Sequence, residues 1–460
     1  MKRKVITLGF AIGCILISCN KVEHKPLKVS TINPRYFTDA TGKAVYLTGS
    51  HTWNNLVDII DDRNPDAFNY KAYLEFLKGY NHNFYRLWAW ELLNWDTRET
   101  KYRNPGNYLI NPHPWLRSGP GEAIDGEPKF DLTEFNDFYF NRLRERVVGA
   151  REYGFYVSIM LFEGWGIQFS PDAYRNHPYY PMNNINDLGL DTAESVRLEI
   201  HELKYERVLE IQEMYVKKVL ETVNDLDNVL FEISNENHPL STEWQYHIIR
   251  FIKDYEKLLG NQHPVGMTFQ YKGGSNQVLL DSPADWISPN NDGGYRDDPP
   301  AADGSKVIIT DTDHLWGIGG NIDWVWKSFL RGMNPIFMDP YDGRVISHSE
   351  DTAWAESIRK NIGYTHQFAG KMDLIHMVSA GNLSTTNYCL ANIGHEYLVY
   401  LPSDSSATMD IGDVSGQLEV EWFDPISGTT VKSDDVQGGD NHVFASPFNN
   451  GSAVLYLKKK

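Results

Sequence analysis

From residue 45 onward, short apolar runs alternate with longer amphipathic stretches. Eight runs stand out, at 45–49, 84–88, 156–162, 229–234, 265–269, 286–288, 307–310 and 335–338. Between them, helical spacing is found at 65–78, 132–153, 197–224, 242–259, 322–330 and 352–368. The third of these stretches shows it best. There Val208, Leu209, Ile211, Met214, Val216, Val219 and Leu220 recur among Lys and Glu at the interval that puts them on one helix face. Short strands separated by crossover helices predict an α/β chain built on a parallel sheet. Eight such units over about 330 residues predict a (β/α)8 TIM barrel with insertions. Between the fifth and sixth runs no helical pattern separates Tyr271 from Asp285.

Two connections are long and rich in Pro, Asn or Gly, at 95–131 and 164–191. Both follow strands, on the side where a barrel builds its binding walls. Beyond Met377 the apolar period changes to two. Strands are expected at 388–392, 396–401, 407–411, 418–423, 429–432 and 453–457, joined by Gly, Asp and Ser turns. The expected domains are a barrel over 33–376 and a small C-terminal antiparallel β-sandwich over 377–460.

The chain begins differently. Lys2, Arg3 and Lys4 precede an apolar stretch at 5–17 that is too short to span a bilayer and has the length of a signal-peptide core. Leu16-Ile17-Ser18-Cys19 resembles a lipobox, in which cleavage leaves an acylated Cys19. Residues 1–19 are read as a lipoprotein signal peptide and 20–32 as a tether. This makes the protein an exported one, held to a bacterial membrane by its lipid alone. With Cys14 removed and Cys19 acylated, Cys389 is left without a disulfide partner.

Charge narrows the partners. There are 61 acidic residues against 43 Lys and Arg, a net charge of −18. That balance argues against nucleic acid. The 13 Trp and 26 Tyr suit the C–H faces of sugar rings, and equally a large core.

The fourth run ends in Ser234-Asn235-Glu236-Asn237-His238, which delivers a carboxyl group and a neighbouring amide to the barrel rim. Glycoside cleavage needs a carboxyl with a raised pKa to protonate the departing oxygen, and a second carboxylate across the cleft. The seventh run continues into Asp311-Thr312-Asp313-His314, on the opposite side of an eight-stranded barrel. Alternation points Asp311 and Asp313 the same way, so both are candidates. Further rim candidates follow from position after strands. These are His51 and Trp53, Arg86 and Trp88, Glu163 and Trp165, His238, Tyr271, His314 and Trp316, and Asp339. Asn235 is the candidate donor to a sugar hydroxyl. Asp311, Asp313 and His314 could ligate a cation, but there is no His-Glu-x-x-His. Asn290-Asn291-Asp292-Gly293 lacks the acidic residue that closes a calcium loop. No Gly-x-Gly-x-x-Gly follows a strand, so no metal and no cofactor are expected.

Ser234-Asn235-Glu236 and Ile309-Thr310-Asp311 resemble the clan A glycoside hydrolases. That resemblance implies Glu236 as acid/base and the strand-seven carboxylate as nucleophile, with Asp standing where that clan usually has Glu. It favours Asp311 over Asp313. Asn33-Pro34-Arg35-Tyr36-Phe37 through Leu47-Thr48-Gly49-Ser50-His51-Thr52-Trp53 is similar to the opening of apiosidase-like catalytic domains. Leu398-Val399-Tyr400-Leu401-Pro402, Glu421-Trp422-Phe423-Asp424-Pro425 and Val454-Leu455-Tyr456-Leu457 resemble a small sandwich named as a collagen-binding domain; collagen binding does not follow from that. The resemblance implies a retaining glycosidase acting on polysaccharide-derived oligosaccharides; exo action is expected because the two long loops can wall off one end of the cleft. The alternative is a lipid-anchored carbohydrate-binding protein on a non-catalytic barrel.

Overall fold

The computed structural model describes residues 25–62, 65–101, 104–343, 353–449 and 451–460. The expected signal peptide and Cys19 lie outside the described residues. Eight strands form one parallel sheet: β1 Gly49–His51, β2 Phe84–Leu87, β3 Tyr156–Glu163, β4 Val229–Asn235, β5 Val265–Thr268, β6 Trp286–Ser288, β7 Val307–Asp311 and β8 Asn334–Met338. Neighbours in the sheet follow chain order, and β8 pairs with β1. The backbone N–H groups of Asn83 and Phe84 donate to the Thr48 carbonyl, which brings β2 back to β1 and closes the barrel.

The outer helices are α1 Tyr70–Gly79, α2 Asp137–Tyr153, α3 Glu206–Val223, α4 Thr242–Leu259, α5 Asn276–Asp281, α6 Ile322–Leu330 and α7 Ala353–Lys371. Their limits have local causes. Side chains of Asn69, Asn136 and Asn321 accept from free backbone N–H groups at the starts of α1, α2 and α6. Gly154 and Gly260, with φ of 85° and 97°, take the left-handed turn that ends α2 and α4. The fifth unit has the short α5 where no helix was expected. Among the described residues the sixth has none, and an irregular segment links β6 to β7.

Several expected limits move. Leu132 opens no helix; it lies in strand Pro128–Phe135, paired with Trp115–Glu122. The connection at 95–131 is thus largely β-structure, not irregular loop. Val45, which opens the first expected run, belongs with Ala44 to a separate antiparallel sheet with Lys28–Val29 and Phe37–Thr38. Described residues of the expected tether are therefore part of the fold. Leu27 is buried with Phe37, Leu47, Phe84, Leu230 and Trp286 at the barrel floor, because the lower interior is apolar and needs a cover. Gly266 makes room there, since a Cβ would fall 1.9 Å from the Trp286 ring.

After α7 come β9 Val378–Ser379, β10 Cys389–Asn392, β11 Glu396–Leu401, β12 Ser406–Asp410, β13 Gln417–Phe423, β14 Thr430–Gln437, β15 Asn441–Ala445 and β16 Ala453–Lys459. Six form an antiparallel sheet in the order β9-β10-β11-β16-β13-β14, and β12 pairs with β15. The strand at 441–445 had no alternating pattern to reveal it, because four of its five residues are exposed. Alternate residues of β11 and β16 bury on opposite sides. Leu398, Tyr400, Val454 and Tyr456 pack on Trp326 and Phe329 of α6 and Phe368 of α7. Tyr397, Val399, Leu455 and Leu457 pack with Met409 and Phe444 of the small sheet. Cys389 is buried in this second core, and burial pushes its thiol up to about 12, which leaves it protonated and inert.

Candidate active site

Period-two alternation brings four ionisable side chains into the barrel interior above its apolar floor. Arg86 stands two residues beyond Phe84 on β2, Glu232 two beyond Leu230 on β4, and Asp311 two beyond Ile309 on β7, while His51 ends β1. Arg86 donates from Nε to Glu232 (2.8 Å), from one terminal nitrogen to Asp311 (3.0 Å) and Asp313 (3.2 Å), and from the other to Glu232 and to Asn235 Oδ1 (2.6 Å). Its guanidinium lies 4.5 Å from the centre of the Trp88 ring. Burial works against this charge, but Glu232 and Asp311 more than offset it and raise the Arg86 pKa above its ordinary value.

Asp311 is fully buried beneath the cavity. His51 Nε2 donates to it at 2.9 Å, and the backbone N–H of Asp313 at 3.0 Å. Burial raises its pKa, but His51 and Arg86 reverse the effect and hold the carboxylate well below its usual range. Asp311 thereby caps the short helix Thr312–Leu315, and the first turn of that helix carries Asp313 to the cavity wall.

The cavity above has a volume of about 420 Å³, within the range of small-ligand sites. Three carboxyl groups line it: Glu236, Asp313 and Glu163. Glu236 follows β4 with φ of 45°, a left-handed conformation that strains a residue with a side chain. Neighbours hold it there. Gln168 Nε2 donates to the Glu236 carbonyl at 2.7 Å and to the Gly164 carbonyl at 2.8 Å. Asn237 donates to His201 Nδ1 and Ser234 Oγ, and accepts from the His238 N–H. Gly164 permits the contact, since a Cβ there would lie 2.4 Å from Asn237 Cα. Burial first, then Asp313, raise the Glu236 pKa well above its usual value. Burial and then Asp311 raise Asp313 to about 6. Burial also raises Glu163, to about 8, although it accepts from the N–H groups of Trp165 and Gly166 as the cap of helix Gly164–Phe169.

Asn235 Oδ1 accepts from Arg86 and from His314 Nε2 (3.2 Å), which turns its amide N–H groups towards the cavity. Burial lowers His314 to about 3, so it is neutral, and its Nδ1 accepts from Ser288. Trp53, Trp88, Trp165, Trp316 and Tyr271 also line the cavity. Besides Arg86 and Asp311, which lie beneath it, three candidates do not. Asp339 is locked in a buried pair with Arg359 at 2.8 Å. His238 donates to the Leu198 carbonyl, and burial lowers its pKa to about 4. His51 sits behind Asp311 and stacks on Trp88. These corrections share a cause: a position after a strand does not say which way the following turn aims the side chain.

Glu232, Trp90, Phe269, Arg296 and Gln168 were not among the candidates. Glu232 was detectable, because alternation back from Ser234 aims it into the interior, where a carboxylate needs a cation such as Arg86. Asp311, Asp313 and His314 place ligand atoms within 4.8 Å of one another. One Arg86 nitrogen donates to both aspartates, so a positive charge already sits against this donor set and opposes a cation there.

A parallel eight-stranded barrel with a buried ionic cluster and a tryptophan-lined cavity at the C-terminal ends of its strands, followed by an antiparallel sheet domain, defines the (β/α)8 class. Residues 83–283 match a family described as "Domain of unknown function (DUF6298)", and residues 375–457 one described as "Putative collagen-binding domain of a collagenase". The fold is similar to that of a glycoside hydrolase family 5 structure from Bacteroides vulgatus, with a TM-score of 0.63 and 13% identity over 94% of this chain and 93% of that one. A second structure, described as a glycoside hydrolase, has a TM-score of 0.63 and 13% identity over 95% and 97%. No curated protein matches the chain in sequence.

Proposed function

We propose that the protein is a glycoside hydrolase in which Glu236 is the general acid and Asp313, not Asp311, is the partner carboxylate. One observation carries this reading. Two buried carboxyl groups, on the opposed strand ends of β4 and β7, line one cavity with their pKa values pushed to different degrees. The descriptions of the two structural neighbours support it. Asp311 is saturated by His51 and Arg86 and serves as a buttress. Glu236 protonates the departing oxygen while Asp313 attacks the anomeric carbon and forms a glycosyl ester. Ionised Glu236 then takes a proton from water, which displaces Asp313 with net retention. The free Asn235 amide donates to a hydroxyl of the bound ring.

Entry from a chain end is the preferred mode. Trp53, Trp90 and Trp95 pack on one another at 5.0–5.8 Å, which supports a cavity closed on the β1–β2 side. The substrate class is a polysaccharide-derived oligosaccharide. The protein is read as exported and lipid-anchored through Cys19, and Cys19→Ala should release it from the membrane fraction; retention there would refute the anchor.

The test of the chemistry is Glu236→Gln on two substrates of one sugar. Natural linkages, whose leaving groups need a proton, should slow by several orders of magnitude, and activated aryl glycosides far less. Equal losses would remove Glu236 as the acid. Proton NMR of the first-formed anomer tests retention, and the product ladder from a long oligosaccharide tests end-wise action.

A further inference from the structure

We propose that Phe169 and Tyr271, with Lys272, form a subsite for the sugar unit on the leaving-group side of the scissile bond. This rests on the hydrolase reading above and extends it from Tyr271 at the cavity wall to the surface beyond. A general acid must touch the oxygen that departs, so the leaving group has to lie against Glu236. The elements flanking Glu236 in the barrel are the connections after β3 and β5, its neighbours on either side of β4. Those two connections supply a continuous strip of rings. Phe269, 8% exposed, lies inside the cavity, and its ring centre is 6.1 Å from that of Tyr271. Tyr271 is 5.4 Å from Phe169, and Phe169 is 5.8 Å from Trp165.

Phe169 is 41% exposed, although it ends a helix whose Gly164, Gly166, Ile167 and Gln168 are buried. Exposed Lys272 holds its ammonium 5.7 Å from the Phe169 centre and 5.4 Å from the Tyr271 centre. The outer end of the strip therefore offers a ring face together with a hydrogen-bond donor, the pair of contacts that one pyranose ring accepts through its C–H face and its hydroxyls. Continuity with the cavity makes the next unit of the same glycan the occupant. The tryptophan-packed β1–β2 side leaves the β3–β5 side as the direction in which that glycan extends.

The test compares substrates that have this unit with ones that lack it. Gluco-, galacto-, manno- and xylo-oligosaccharides of two to four units would be paired with the glycosyl fluoride of each sugar, whose leaving group needs neither acid nor subsite. In Phe169→Ala, kcat/KM on the oligosaccharide should fall about tenfold more than on the fluoride, chiefly through KM, as expected for loss of part of one aromatic burial. Phe169→Tyr should restore it. Equal losses on both substrates, or none on the oligosaccharide, would overturn the subsite. A second arm needs no turnover: tryptophan fluorescence titration of Glu236→Gln with the same oligosaccharides, with and without Phe169→Ala. If the wild type hydrolyses nothing while this binding still weakens about tenfold on loss of Phe169, the hydrolase reading fails and the leaving-group assignment with it, and the strip is a glycan-binding surface. Binding indifferent to Phe169 would remove the subsite whether or not the enzyme turns over.

Discussion

The lower and upper halves of the barrel interior are built by the same stretches of chain, two to four residues apart, and are opposite in chemistry. The floor is Leu47, Phe84, Leu230, Trp286, Val307, Ile309 and Ile336, sealed from below by Leu27 and Phe37. One step up, the same strands present His51, Arg86, Glu232 and Asp311, every one of them buried. The apolar layer gains stability simply by leaving water. The ionic layer costs free energy to desolvate and recovers it only because each group is matched, which makes it rigid but intolerant of deletion. The difference shows how a barrel divides labour along its axis: an apolar plug below, a charged platform in the middle, and above it a cavity whose carboxyl groups stay unmatched enough to react.

The largest effect should come from the boundary between platform and cavity. Asp313→Asn is expected to lower kcat by about a thousandfold or more with little change in unfolding midpoint, since it removes a reacting carboxylate. Asp311→Asn should do the reverse in part, with a clear loss of stability and a smaller loss of rate. Kinetics and denaturant melts of both variants decide, and an inactive Asp311→Asn with wild-type stability would return the partner role to Asp311. In the wild type, activity should rise with pH through about 6 as Asp313 ionises, and fall again at higher pH where Glu236, whose pKa is raised by burial and by Asp313, loses its proton. A rate independent of pH across that first limb would exclude Asp313.

Next in size is the contrast between the two layers. Arg86→Met leaves Glu232 and Asp311 without their cation and should cost about 3–5 kcal/mol, with activity abolished in whatever remains folded. Leu230→Ala should cost about 2–5 kcal/mol through a cavity, yet leave kcat of the folded enzyme near wild type. If Leu230→Ala reduced kcat as strongly as Arg86→Met, the division between floor and platform would not hold.

A last contrast, read only in the pH dependence of stability, concerns Glu163. Its folded pKa of about 8 lies above its ordinary 4.5, so the native state keeps a proton that the unfolded chain gives up. The matching stability is complete below the unfolded value and is lost as pH rises towards 8. Glu163→Gln should therefore flatten the decline in urea midpoint between about pH 5 and pH 8. A decline equal to that of the wild type would assign the pH dependence to other groups.

Local pattern alone determined much of this molecule. Apolar runs and helical spacing disclosed the alternating strands and most of the helices, with 242–259 and 322–330 matching α4 and α6 residue for residue. Position at strand ends also put Asn235 and Glu236 at the mouth of β4 and Arg86 at the end of β2. These readings succeed because strand and helix periods, 2.0 and 3.6, are properties of the backbone itself. The tertiary structure decided what period cannot express. It separated Asp311 from Asp313, because a helix begins at Thr312 and swings the second carboxyl upward while His51 and Arg86, from strands far off in sequence, claim the first. It turned Asp339 to Arg359 and His238 to the Leu198 carbonyl, each through a partner 20 or more residues away. It also drew Leu27 and Val29 from an expected tether onto the barrel floor, since only a closed ring of strands creates the apolar opening that Leu27 fills. Periodicity tells which face a side chain occupies; which charge or surface waits on that face is settled only when distant strands are brought together.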